Sequence, residues 1–205
     1  MRLYLLSLFY DLVYFSREAI VGINTHPGCV APAGVKKKRS LMFNHLFVFS
    51  PGTWSGEGKI LLNMVEEELV FSTTWAVQNK DFAGKVACSQ EILIQGLSEN
   101  MRNDLTFYDF QGKTFAVDME NQNIGRIVGT GVYDEKTIAW EFRNNDMNFE
   151  GYETYSLQED GSYLMKGEYV TSDQFRTHIE AQIKLQSSEA PSQDSQDESQ
   201  ENEEE

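Results

Sequence analysis

Between Leu46 and Leu185 apolar and polar residues alternate in short runs, and clusters of polar residues and glycine interrupt the alternation at regular intervals. The last run is the clearest: Phe175, Thr177, Ile179, Ala181, Ile183 and Leu185 fall on one side, Arg176, His178, Glu180, Gln182 and Lys184 on the other. "TIAWEF" groups Ile138, Trp140 and Phe142 in the same way, and "KTFAVDM" groups Phe115, Val117 and Met119. A period of two marks a strand buried on one face. Turn-forming clusters recur every 10 to 13 residues or so, from "MVEEE" at 64–68 to "SDQ" at 172–174. The nine connections predict ten strands, near 53–63, 69–78, 85–96, 104–110, 114–120, 126–132, 137–143, 148–157, 162–170 and 175–186. No run has the 3.6-residue period of an amphipathic helix. Connections this short join antiparallel neighbours. The expected architecture is therefore all-β, a ten-stranded antiparallel up-and-down barrel, closed so that no apolar strand edge is exposed. Glycines inside the runs, such as Gly56, Gly58, Gly129, Gly131, Gly151 and Gly167, are expected to mark its curvature.

The flanks do not share this pattern. Residues 1–41 show neither period, and their opening apolar run, "MRLYLLSLFYDLVYF", is broken by Asp11 and too short for a bilayer, which needs about 20 residues. The basic cluster "KKKR" follows that run rather than preceding it, so the segment reads as a poorly ordered extension, with a weak membrane or export signal as the alternative. Residues 187–205, "SSEAPSQDSQDESQENEEE", carry eight acidic and no basic residues and read as a disordered, solvated tail. One barrel domain at 42–186 lies between them. The tail takes −8 of the formal net charge of −15 and leaves −7 on the remainder. A chain acidic both in its tail and in the remainder argues against nucleic acid or an anionic membrane as partner. Two cysteines, Cys29 and Cys88, form no disulfide framework, and a reducing, cytoplasmic setting is the expected one.

"GTWSGEGKI", residues 52–60, has the glycine density of a phosphate-binding loop. Such a loop needs Ser or Thr after its lysine and a helix beyond it. Here Lys59 is followed by Ile60 and another strand, so the stretch is the first barrel strand with Trp54 closing one end. Its Gly-x-Trp resembles the signature of the calycin superfamily of lipocalins, fatty-acid-binding proteins and nitrobindins. The longer stretch is most similar to the nitrobindin opening, in which a Gly-x-Gly follows. Ten strands with neither a helix after the barrel nor a helical lid agree with that resemblance. What it implies is a ligand-holding interior. For a nitrobindin-like protein it further implies haem bound through a histidine near the end of the last strand, and "RTHIEAQIKL" puts His178 in a comparable place. The alternation, however, puts His178 on the polar face with Arg176 and Glu180.

The candidate site is built from polar residues stranded on apolar faces. Glu153 shares a face with Phe149 and Tyr155, Gln90 with Cys88 and Ile92, Thr73 with Phe71 and Trp75, and Asp109 with Leu105 and Phe107. A few polar groups in an apolar cavity are what orients a small ligand. Trp75, Gln90, Phe107, Phe115, Trp140, Glu153 and Tyr155 are the expected ligand-binding residues, and desolvation should raise the pKa of Glu153. No nucleophilic triad, Gly-x-Ser-x-Gly turn or metal-ligand spacing appears, which points away from an enzyme and gives no expected metal. Binding of a small apolar molecule inside the barrel is the leading expectation, with no required cofactor. Beside it stand a nitrobindin-like haem protein using His178 and a structural or interaction barrel filled by its own side chains.

Overall fold

The computed structural model describes residues 45–64, 66–122, 125–143, 150–171, 175–189 and 191. The expected extension at 1–41 and nearly all of the acidic tail lie outside these residues, as do Cys29, His26 and Phe149. Ten strands follow in chain order: β1 Gly52–Leu62, β2 Leu69–Val77, β3 Val86–Ile94, β4 Met101–Gln111, β5 Thr114–Asn121, β6 Gly125–Tyr133, β7 Thr137–Phe142, β8 Glu150–Leu157, β9 Tyr163–Val170 and β10 Arg176–Ser187. Each pairs antiparallel with its sequence neighbour, and β1 pairs with β10 to close the barrel. The ten-stranded up-and-down barrel expected from the alternation is thus the observed fold. Among the described residues no helix is long and apolar enough to cross a membrane.

The alternation orients the strands as the hydrophobic effect requires. On β10, Thr177, Ala181 and Ile183 are buried, Ile179 is half-buried, and Arg176, His178, Glu180, Gln182 and Lys184 are exposed. Trp54, Trp75, Phe115 and Trp140 all lie in the core. At Gly58 the role of glycine is room rather than a special turn. A Cβ there would lie 2.2 Å from the Glu180 carbonyl oxygen on β10, so the β1–β10 seam can form only without a side chain at this point.

Two departures from the alternation matter for the interior. The β4–β5 ladder shifts register between Tyr108 and Gln111, and Asp109 there has φ of 51°, in the left-handed region. The bulge turns Asp109 out to solvent, correcting its expected place beside Leu105 and Phe107. It also lets Phe110 pack against Phe49 and Phe115. The second departure precedes β1. Residues 45–50 form a turn, with the amides of Phe49 and Ser50 donating to the Leu46 carbonyl at 3.1 and 2.9 Å. This turn pushes Phe47, fully buried, into one end of the barrel. Its ring lies edge-on to Trp54 and Trp75 at 5.3 and 5.2 Å, and 4.8 Å from Tyr155. Val48 takes φ of 53° to make the turn, a strained conformation for a β-branched residue. Such strain costs roughly 1–3 kcal/mol, and burial of Phe47 and Val48 offsets it.

Candidate functional site

Phe47 acts as a plug and His45 latches it. The His45 Nε2 lies 2.8 Å from the Asp134 carbonyl oxygen and its Nδ1 lies 3.1 Å from the Tyr163 hydroxyl. A carbonyl can only accept, so Nε2 carries the proton and Nδ1 accepts from Tyr163. The Tyr163 oxygen in turn accepts from the backbone amides of Leu46 and Phe47. His45 is buried and held neutral by desolvation, its pKa below the usual histidine value.

Above the plug the barrel is filled with rings. Trp140 stacks on Tyr155 at 4.8 Å, and Phe107 meets Trp140 and Phe115 at 5.4 and 5.8 Å. Phe107, Phe115 and Trp140, three of the residues expected to touch a ligand, therefore belong to solid packing and do not line the cavity. The reason is position along the barrel axis: alternation identifies inward residues but not which end of the interior they fill.

The other half of the barrel is hollow. A cavity of about 120 Å³ is bounded there by side chains from β1 to β5 and β8 to β10. Trp75, Gln90, Glu153 and Tyr155 line it, together with Thr73. The wall is mostly apolar, with Phe71, Ile92, Met119, Met165 and Ile183 among its members. Two polar features interrupt it.

The first is Glu153, buried and flanked by two tyrosines. The Tyr155 hydroxyl donates to Oε2 at 2.7 Å, and the Tyr169 hydroxyl donates to Oε1. Burial pushes the Glu153 pKa up, and the two hydroxyl bonds work against that shift by favouring the ionised form. Both tyrosine pKa values rise as well, through their own burial and then through the neighbouring carboxylate. The second feature is a relay of side chains across four strands. The Asn121 amide donates to Asn103 Oδ1 at 2.6 Å, Asn103 to Gln90 Oε1 at 2.8 Å, and Gln90 to Thr73 Oγ1 at 3.4 Å. Thr73 ends the relay by donating to the Glu91 carbonyl at 2.9 Å. Two further polar atoms of lining residues, Trp75 Nε1 and Thr177 Oγ1, are buried with no hydrogen-bond partner among the described residues.

Asn103, Asn121, Tyr169 and Thr177 also line the cavity and were not among the expected ligand-binding residues. Asn103 stands in "LSENMRN", which reads as a turn, yet β4 already begins at Met101. Tyr169 and Thr177 do sit on inward positions, but one is near a strand end and the other is a common strand residue.

His178 lies on the outer face of β10. Its side chain is 50% exposed and its Nδ1 is 3.5 Å from Glu168 Oε2. It does not reach the interior, and the buried histidine, His45, has both ring nitrogens engaged in the latch. The residues present therefore do not fit an enclosed haem held by histidine. Among the described residues no group of three His, Cys, Asp or Glu side chains is placed to hold a metal ion.

No protein-family model and no curated protein sequence matches the chain. In structure it is similar to the S-type phycobiliprotein lyase CPES of Guillardia theta, with a TM-score of 0.51 over 66% of this chain and 88% of that one. Their sequences are 10% identical, so the likeness is one of fold. Within that fold the plugged, ring-filled end and the hollow end divide the interior of this chain between structure and a candidate ligand site.

Proposed function

We propose that this barrel binds a small, largely apolar molecule in the hollow half of its interior, without chemical conversion. The observation that carries the reading is the cavity of about 120 Å³, apolar over most of its wall and bearing a few convergent polar groups. For scale, an engineered apolar cavity of about 150 Å³ takes up benzene. A guest of one ring or a short branched chain fits, with the thioethers of Met119 and Met165 able to adjust around it. The phycobiliprotein lyase that shares the fold lends support to a ligand-holding barrel, and at 10% identity it carries no substrate to this chain. Binding is favoured over catalysis because Glu153 is the single carboxyl among the described lining residues and no histidine or thiol lines the cavity beside it.

The test is native mass spectrometry of the purified full chain for a co-purifying small molecule, joined to calorimetric titration with benzyl alcohol as a probe. Binding by the native chain, lost when Ala181→Leu fills the cavity, supports the reading. A chain that carries nothing and takes up no probe overturns it.

A further inference from the structure

Among the described residues, Glu153 is a buried acid without a cation. All lysine and arginine side chains among the described residues are exposed, and His45 is held at the plugged end. The strands on either side bring nothing basic: Trp140 on β7 and Gly167 on β9 stand directly opposite Glu153. What does reach it is one tyrosine hydroxyl on each carboxylate oxygen. This arrangement matches the ionised state, since a carboxylate only accepts and both hydroxyls donate. Each carboxylate oxygen has more than one acceptor site, so two donors leave accepting capacity on the carboxylate. Glu153 also lines the cavity, where a guest can use that capacity.

We propose that the guest is a small apolar amine, bound as its ammonium ion with the charge against Glu153 and the hydrocarbon body against the apolar wall. This rests on the cavity being a binding site and specifies its chemistry. An ion pair formed in a protein interior usually loses much of its Coulomb energy to desolvation of both partners. Here the protein's half of that cost was incurred on folding, because Glu153 is already out of water. The guest alone is desolvated on entry, and a primary ammonium is small enough to fit beside the tyrosine hydroxyls. Selectivity follows from the same geometry. An anionic guest meets like charge in a medium of low dielectric, and a neutral alcohol gains a hydrogen bond without charge assistance.

Three probes of matched shape distinguish the possibilities: benzylamine, benzyl alcohol and benzoate, titrated calorimetrically into the native full chain at neutral pH. The expected order is benzylamine tightest by roughly tenfold or more over benzyl alcohol, with benzoate not binding. Glu153→Gln should bring the amine-to-alcohol ratio close to one while benzyl alcohol still binds. Equal binding of amine and alcohol by the native chain would overturn the amine assignment and leave the cavity reading intact. Absence of binding by all three would remove both. Should Glu153→Gln fail to fold, the comparison of the three probes on the native chain still decides.

Discussion

Gly151 and Tyr169 face each other across the β8–β9 ladder, and a Cβ on residue 151 would lie 2.1 Å from Cδ1 of the tyrosine ring. The ring lies over bare backbone, and its hydroxyl donates to the Glu153 carboxylate two residues along the same strand. A glycine that looks like a weak point in a strand thus sets the position of the acid in the cavity.

Gly151→Ala should cost about 1–3 kcal/mol of stability, the usual range for overpacking a tight site. Equilibrium urea unfolding measures it. Tyr169→Leu with Gly151→Ala in one chain should cost less than the two changes summed, because removing the ring frees the space the methyl needs. Simple additivity would mean that the two residues do not share that space.

Phe47→Ala should destabilise the barrel by about 3–5 kcal/mol, the range for truncating a fully buried phenylalanine. The ring contacts tie 45–50 to β1, β2 and β8 at once. Denaturant unfolding followed by tryptophan fluorescence reports the loss, since Trp54 and Trp75 both touch this ring.

Stability should fall on the acid side through His45. Its folded pKa lies below the unfolded value of about 6.5, so the unfolded chain binds the extra proton first. The contribution is complete above that pH and is lost progressively as pH drops beneath it. His45→Gln, which cannot titrate, should flatten this limb of a stability–pH curve. An unchanged slope would show that the latch histidine is free to protonate in the fold.

Glu153 carries the opposite sign. Its folded pKa is raised, so rising pH ionises the unfolded chain first and works against the fold. Glu153→Gln should therefore gain stability relative to the native chain between pH 4 and pH 8, measured by unfolding at both values. A difference that stays constant would mean that Glu153 ionises in the barrel as readily as in water.

Cys88 should resist alkylation in the folded chain. It is buried, and desolvation pushes its thiol pKa far up, which leaves almost no thiolate to react. Peptide mass spectrometry after iodoacetamide should find Cys88 modified only in denaturant.

Strand number, order and facing could be read from the sequence because a single physical rule, one face buried, acts along every strand. β10 and β7 follow that rule without exception over their cores. Where another rule takes over, the reading stops. Asp109 has the right parity for the interior, but a bulge placed by the β4–β5 turn reverses it. Residues 45–50 precede the first expected strand at 53, and their plug is specified by what it fits into rather than by a strand pattern. The division of the interior was the least legible. Trp75 and Trp140 are equivalent inward tryptophans on the page, and only the three-dimensional stacking of Phe47, Tyr155 and Phe107 decides that one borders a cavity and the other does not. The polar relay was half visible, Gln90 and Thr73 on their faces and Asn103 hidden in an apparent turn.

Nine of the ten strand pairings join neighbours along the chain, and one, β1 with β10, joins the two ends of the fold. Local hairpins can form early and separately, whereas this last pairing must wait for the whole sheet to curl. It is the zip of the molecule. Opened there, the barrel becomes a flat sheet with two long bare edges, each able to accept the complementary edge of a second copy. The lack of a side chain at Gly58, which lets the two edges meet, therefore also protects the chain from pairing with itself in the wrong molecule.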